Sequence, residues 1–209
     1  MTTDIPSNHQ SDAPPSSGRR SVSTINIPLS LTVMRILMIP IIVLFFYLPF
    51  QSAHIIAAVL FIIACITDWL DGFLARSLSQ ATDLGAFLDP IADKLLVAVV
   101  LVVIVAQDWM PYLAIPAAII IGREIAIAGL REWMAEMGKR TSMAVSFMAK
   151  VKTSLQMLAL IMLLWYVPGS TQWVLWIGVS LLYLAALLTL WSMTIYLKLA
   201  WPDLTLVKK

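Results

Sequence analysis

The sequence predicts an all-α, polytopic membrane protein: six transmembrane helices in one bundle, with the candidate active site at its cytoplasmic end. Three observations carry this. Apolar residues make up 60% of the 209 and charged residues 12%, against roughly 45–50% and about 25% in a soluble domain. No core in a chain this size buries so much apolar surface, so lipid has to cover it. The stretch from Thr153 to Leu197 holds no Asp, Glu, Lys or Arg, enough for two spans of about 20 residues. The 14 Lys and Arg residues all fall toward one side once the spans are drawn, as the positive-inside rule requires.

Residues 1–24 contain Ser, Pro, Gln, His and Asp but almost no large apolar side chains. Such a segment cannot offset its ordering entropy and reads as a disordered cytoplasmic tail. No short apolar stretch with a small-residue cleavage site follows it, so it does not read as a secretory signal. Arg19-Arg20 precedes a full span in a chain of several spans, which disfavours a twin-arginine leader. The six-helix domain covers 25–200, and residues 201–209 form a short cytoplasmic tail. The helices are expected at 29–49, 53–75, 85–106, 111–131, 151–168 and 173–198. Pro49, the stretch Asp108–Pro111 and Pro168-Gly169 fall between them, where helix breakers belong.

Both termini are expected in the cytoplasm, because the three opposite connections then carry a single charged residue, Asp108. Trp109, Tyr112, Trp165, Tyr166, Trp173 and Trp176 fit an outer aromatic belt, and Trp69, Trp133 and Trp201 an inner one. The single cysteine, Cys65, has no disulfide partner. A net charge of +2 with dispersed basic residues gives nucleic-acid binding no support.

Four aspartates interrupt the second and third helices: Asp68, Asp71, Asp89 and Asp93. An acid at membrane depth is costly and marks function by default. Asp68 and Asp71 are three apart, Asp89 and Asp93 four apart, so each pair shares a helix face. A hairpin between the two helices brings both faces together at the cytoplasmic end. Such a set of carboxylate oxygens suits hard divalent cations, Mg²⁺ or Mn²⁺. Arg76 and Lys94 alone leave an excess of negative charge, which disfavours a purely structural set of ion pairs. Gly72, Ala75 and Gly85 let a flat, charged head group approach the helix backbones, and Arg76 offers a planar donor fork to phosphate oxygens.

The run Asp68-x-x-Asp71-Gly72-x-x-Ala75-Arg76, then Gly85-x-x-x-Asp89-x-x-x-Asp93, resembles the full signature of the CDP-alcohol phosphotransferases. Further matches resemble the bacterial branch of that family whose acceptor is glycerol 3-phosphate. They are Asn26-Ile27-Pro28, Leu31-Thr32, Arg35, Gly122-Arg123-Glu124-Ile125, Leu130-Arg131-Glu132-Trp133, Gly138-Lys139-Arg140 and Lys150-Val151-Lys152-Thr153. The resemblance covers residues 25–198. It implies a phosphatidyltransferase of the bacterial inner (cytoplasmic) membrane, acting on CDP-diacylglycerol among membrane lipids, and a homodimer. It also implies that Asp68, Asp71, Asp89 and Asp93 bind two divalent metals, with Asp93 also the general base. Asp71, Gly72, Ala75, Arg76 and Gly85 would then line the CDP-lipid site.

For the acceptor, the cytoplasmic helix ends supply Thr32, Arg35, Arg123, Arg131, Lys150 and Lys152. Cations where a water-soluble substrate enters suit an acceptor bearing phosphate, such as glycerol 3-phosphate; some serve equally as positive-inside or head-group contacts. Two rivals remain. One is a sister enzyme with a phosphatidylglycerol, inositol phosphate or serine acceptor. The other is a divalent-cation transporter, disfavoured because the outer helix halves are plain Leu, Val, Ile and Ala.

Overall fold

The computed structural model describes residues 27–50, 52–78, 83–107, 111–136 and 147–205. Its elements are α1 (Ile27–Tyr47), α2 (Ala53–Leu78), α3 (Asp83–Val105), a 3₁₀ turn (Pro111–Leu113), α4 (Ala114–Glu136), α5 (Phe147–Trp165) and α6 (Gln172–Thr205). All six expected segments are helices, and the described residues contain no strand.

Boundaries follow the breakers. After α5, Val167–Ser170 forms a tight turn in which Ser170 N donates to Val167 O at 2.9 Å. Pro168 presets the second position, and Gly169 takes φ 85° at the third, the geometry of a type II turn. The largest departure is α6, which runs through Pro202 to Thr205, beyond the expected end at 198. A proline removes one backbone donor, and the helix tolerates that loss. Pro40 and Pro90 likewise sit inside α1 and α3.

Among the described residues, two helices are long and apolar enough to cross a membrane by length and composition: Ser30–Tyr47 of α1 and Gln172–Ile195 of α6, each with mean hydropathy 2.1. Ala53–Asp68 of α2 is a shorter apolar stretch. Large apolar side chains face outward on several helices, among them Leu37, Val102, Ile125, Leu187 and Trp191. A helix that is apolar all round needs apolar surroundings on every side.

Packing closes a ring. α1 lies against α2 and α3, α2 against α5, α5 against α6, α6 against α4, and α4 against α3; α3 also touches α5. Ile42, Phe61, Leu96, Leu101, Leu160 and Leu182 form the core. Fully buried Ala57, Ala58 and Ala64 on α2 and Ala159 on α5 permit the close approach typical of membrane helices. Tyr183 of α6 donates to the Tyr112 carbonyl at 2.8 Å, fixing the start of α4. In the outer aromatic set, Tyr112, Trp165, Trp173 and Trp176 are exposed, while Tyr166 is buried in the core. Its backbone N donates to Met162 O, extending the last turn of α5 and turning the ring inward.

Candidate active site

Polar side chains inside the bundle gather in two places, and a cavity adjoins the second. The first is where α1 meets α2. Thr32 and Arg35, one turn apart on α1, are buried, and Arg35 has no exposed surface. A guanidinium cut off from water needs a counterion. Arg35 Nη1 lies 2.7 Å from Asp68 Oδ1 of α2, which keeps 36% of its side chain exposed.

α3 brings the second carboxylate. Asp93 is half-buried. The Cys65 thiol of α2 lies 3.7 Å from Met157 Sδ of α5. Among the described residues, α1 packs on both α2 and α3, the two helices that carry Asp68 and Asp93.

Asp93 opens onto a cavity of about 580 Å³ between α3, α4 and α5. Its walls are mainly apolar, including Ile91, Val97, Ile121 and Ala128, with Lys94, Glu124, Glu132, Thr153 and Gln156 as polar exceptions.

The second polar gathering adjoins that cavity. Arg123 of α4 is 6% exposed and Lys152 of α5 4% exposed. Both reach Glu124: Arg123 Nη1 at 2.6 Å and Lys152 Nζ at 3.6 Å from the same Oε1. Arg123 Nη2 donates to Ser192 Oγ of α6 at 3.2 Å. The Ser192 hydroxyl in turn donates to Thr189 O at 2.9 Å. Its proton is committed to its own helix, so a lone pair faces Arg123. Arg123 and Lys152 against Glu124 leave an excess of positive charge among these three groups, while on the cavity walls Lys94 is offset by Glu132.

The sequence-predicted residues therefore divide. Asp93, Arg123 and Lys152 come to one cavity or its margin. Thr32 and Arg35 sit with Asp68 instead, and Lys150 is exposed. The side chains of Asp71, Gly72, Ala75, Arg76, Gly85, Asp89 and Arg131 lie outside the described residues. Helix α2 carries Asp71 three residues after Asp68, and α3 carries Asp89 four before Asp93. Among the described residues alone, no three His, Cys, Asp or Glu side chains form a metal-holding group. The donors present, Asp68 and Asp93, are carboxylate oxygens, the chemistry that hard divalent cations take.

Sequence reasoning missed three residues: Glu124 as the bridge, and Gln156 and Ser192 as buried polar groups. Gln156 and Ser192 interrupt the charge-free stretch 153–197, and a neutral polar side chain there is a weaker form of the signal the aspartates gave.

A family model for CDP-alcohol phosphatidyltransferase matches residues 25–196. A relative from Salmonella typhimurium, "CDP-diacylglycerol--glycerol-3-phosphate 3-phosphatidyltransferase", is 52% identical over 179 residues, covering 86% of this chain and 97% of the relative. Relatives of the same name from Shigella flexneri, 51% identical, and Sodalis glossinidius, 53% identical, cover the same shares of both chains. With nearly the whole helical bundle matched, this chain belongs to the CDP-alcohol phosphatidyltransferase family.

Proposed function

We propose that the protein condenses CDP-diacylglycerol with glycerol 3-phosphate, giving phosphatidylglycerol phosphate and CMP. The observation that carries the reading is a single cavity with a carboxylate at one wall and a net positive corner at its margin. Asp93 supplies the first; Arg123 and Lys152, bridged by Glu124, supply the second. Relatives more than half identical bear the name of this reaction.

The acceptor phosphate lies against Arg123 and Lys152, where charge-assisted hydrogen bonds are strongest. That contact aims the far hydroxyl at Asp93. A sugar-alcohol hydroxyl is a poor nucleophile, and a carboxylate that takes its proton raises its reactivity. The oxygen then attacks the lipid-side phosphorus, a P–O bond to CMP breaks, and CMP leaves with the electron pair. Arg35 holds Asp68 in one orientation, as an outer partner does for a ligand carboxylate. Asp68, Asp71, Asp89 and Asp93 would hold two divalent cations, Mg²⁺ or Mn²⁺, in keeping with the family's general dependence on such ions. When bound, these neutralise charge on the diphosphate and on the leaving group. Asp71, Gly72, Ala75, Arg76 and Gly85 would form the CDP side of the site. Arg131 and Lys150 are the outer members of the acceptor set, and Thr32 lies beside Arg35. The mainly apolar cavity walls suit the lipid half of CDP-diacylglycerol.

The same reading has all six helices crossing the bacterial cytoplasmic membrane, both termini inside, in a homodimer. Purified protein, given CDP-diacylglycerol and Mg²⁺ with one acceptor at a time, tests the reaction. Glycerol 3-phosphate should release CMP, and phosphatidylglycerol, inositol phosphate and serine should not. In the same assay Arg123→Ala should raise the KM for glycerol 3-phosphate about ten- to hundredfold, the worth of one charge-assisted hydrogen bond. The KM for CDP-diacylglycerol should hardly move. Turnover with serine alone would overturn the acceptor assignment.

A further inference from the structure

Gln156 has no place yet in this chemistry. It is 7% exposed, it lines the same cavity as Asp93 and Glu124, and among the described residues no hydrogen bond engages its amide. It stands in the stretch of α5 that otherwise reads Leu155, Met157, Leu158, Ala159 and Leu160. A leucine would fill that position without desolvation cost, whereas an amide without a protein partner that opens on a mainly apolar cavity is favourable only when something polar meets it there. Such a group points to a polar partner that arrives with the substrate.

The position identifies the partner. Gln156 follows Lys152 by four residues on α5, so the two share a helix face one turn apart. Lys152 belongs to the positive corner, and Asp93 to the facing wall of α3. An acceptor spanning the two carries its middle carbon past Gln156. In glycerol 3-phosphate that carbon bears the secondary hydroxyl, which both donates and accepts. A carboxamide matches it with a C=O and an NH₂. A carboxylate at 156 would repel the phosphate, and a lysine would capture it. A neutral amide reads the hydroxyl and leaves the charge of the corner unchanged.

We propose that Gln156 is a specificity residue that recognises the secondary hydroxyl of the acceptor. This rests on the reading that the cavity receives the acceptor. A site built to hydrogen-bond a hydroxyl discriminates against the analogue that lacks it.

The probe is 3-hydroxypropyl phosphate, which keeps the phosphate and the reacting hydroxyl but lacks the middle one. The wild-type enzyme should prefer glycerol 3-phosphate by at least about tenfold in kcat/KM, the scale of one hydrogen bond left unmade. Gln156→Met, similar in length and suited to an apolar core, should bring that preference to within about threefold. The loss should fall on glycerol 3-phosphate, with kcat/KM for the analogue nearly unchanged. The wild-type ratio needs no variant, so equal use of both acceptors overturns the proposal even where Gln156→Met folds poorly. An equal loss on both acceptors also overturns it, since Gln156 would then merely shape the cavity. Arg123→Ala separates the two levels. If it raises the KM of both acceptors while Gln156→Met leaves the preference intact, the acceptor site stands and this inference falls. If it moves neither KM, the acceptor reading fails first and takes this inference with it.

Discussion

Arg35 is the largest fully buried side chain described in the molecule, and Asp68 meets its charge at 2.7 Å. Breaking such a buried pair from one side costs about 3–5 kcal/mol, because the other charge is stranded. Asp68 thus combines a structural duty with the one proposed for it. Asp93 opens on the cavity, which makes it the direct test of chemistry. Asp93→Asn should lower kcat about 10²- to 10⁴-fold, the usual worth of a positioned base, since an amide cannot accept the hydroxyl proton. Equilibrium binding of CDP-diacylglycerol should survive; a variant with wild-type turnover would place the base elsewhere. The acids were legible in the sequence because charge in an apolar run is conspicuous. Glu124 was visible too, but its bridging of Arg123 and Lys152 depends on α4 and α5 lying beside the same cavity. Gln156 and Ser192 escaped notice because a neutral polar side chain barely changes the hydropathy of a span.

At the scale of elements, breakers made the helices readable. Pro49, Pro111 and the Pro168-Gly169 pair each fall at or next to an interruption. The end of α6 was not readable, because the single bond lost at Pro202 does not stop a helix that its neighbours on both sides extend. Helix contacts give a second kind of test. Gly178 of α6 faces α5, and a Cβ there would lie 3.0 Å from Leu163 Cγ and 3.3 Å from Met162 Cβ. Leu163 is fully buried, so it has little room to yield. Gly178→Leu should therefore destabilise the fold by about 1–3 kcal/mol through overpacking, read as a lower midpoint of detergent-induced unfolding. Gly122 of α4 makes the control, since a Cβ there meets nothing within 4 Å. Gly122→Ala should hold or raise stability, by up to about 1 kcal/mol of helix propensity. If both variants unfold alike, the α5–α6 contact is not as close as described.

For the whole molecule, the ring order α1, α2, α5, α6, α4, α3 could not be read from the sequence. Helices apolar around their circumference display no polar face to show which side turns inward, so sequence neighbours alone gave the expected hairpin of α2 and α3. Orientation in the membrane is different, because charge encodes it. The turn between α5 and α6 carries no charged residue and is flanked by exposed Trp165, Trp173 and Trp176. The opposite end of α5 carries Lys150 and Lys152. Moving Lys or Arg across the bilayer is unfavourable during insertion, so the proposed orientation keeps the basic end in the cytoplasm. Ser170 in the turn and Lys150 at the helix start are both exposed, and Cys65 is the single native cysteine. In a Cys65→Ala background, Ser170→Cys should react with a membrane-impermeant maleimide added to cells whose outer barrier has been opened but whose cytoplasmic membrane is intact. Lys150→Cys should stay unlabelled until that membrane is disrupted. The reverse pattern would invert the topology and put the proposed acceptor corner on the side away from cytoplasmic glycerol 3-phosphate. Labelling of both sites in intact cells would mean that α5 does not cross the bilayer at all.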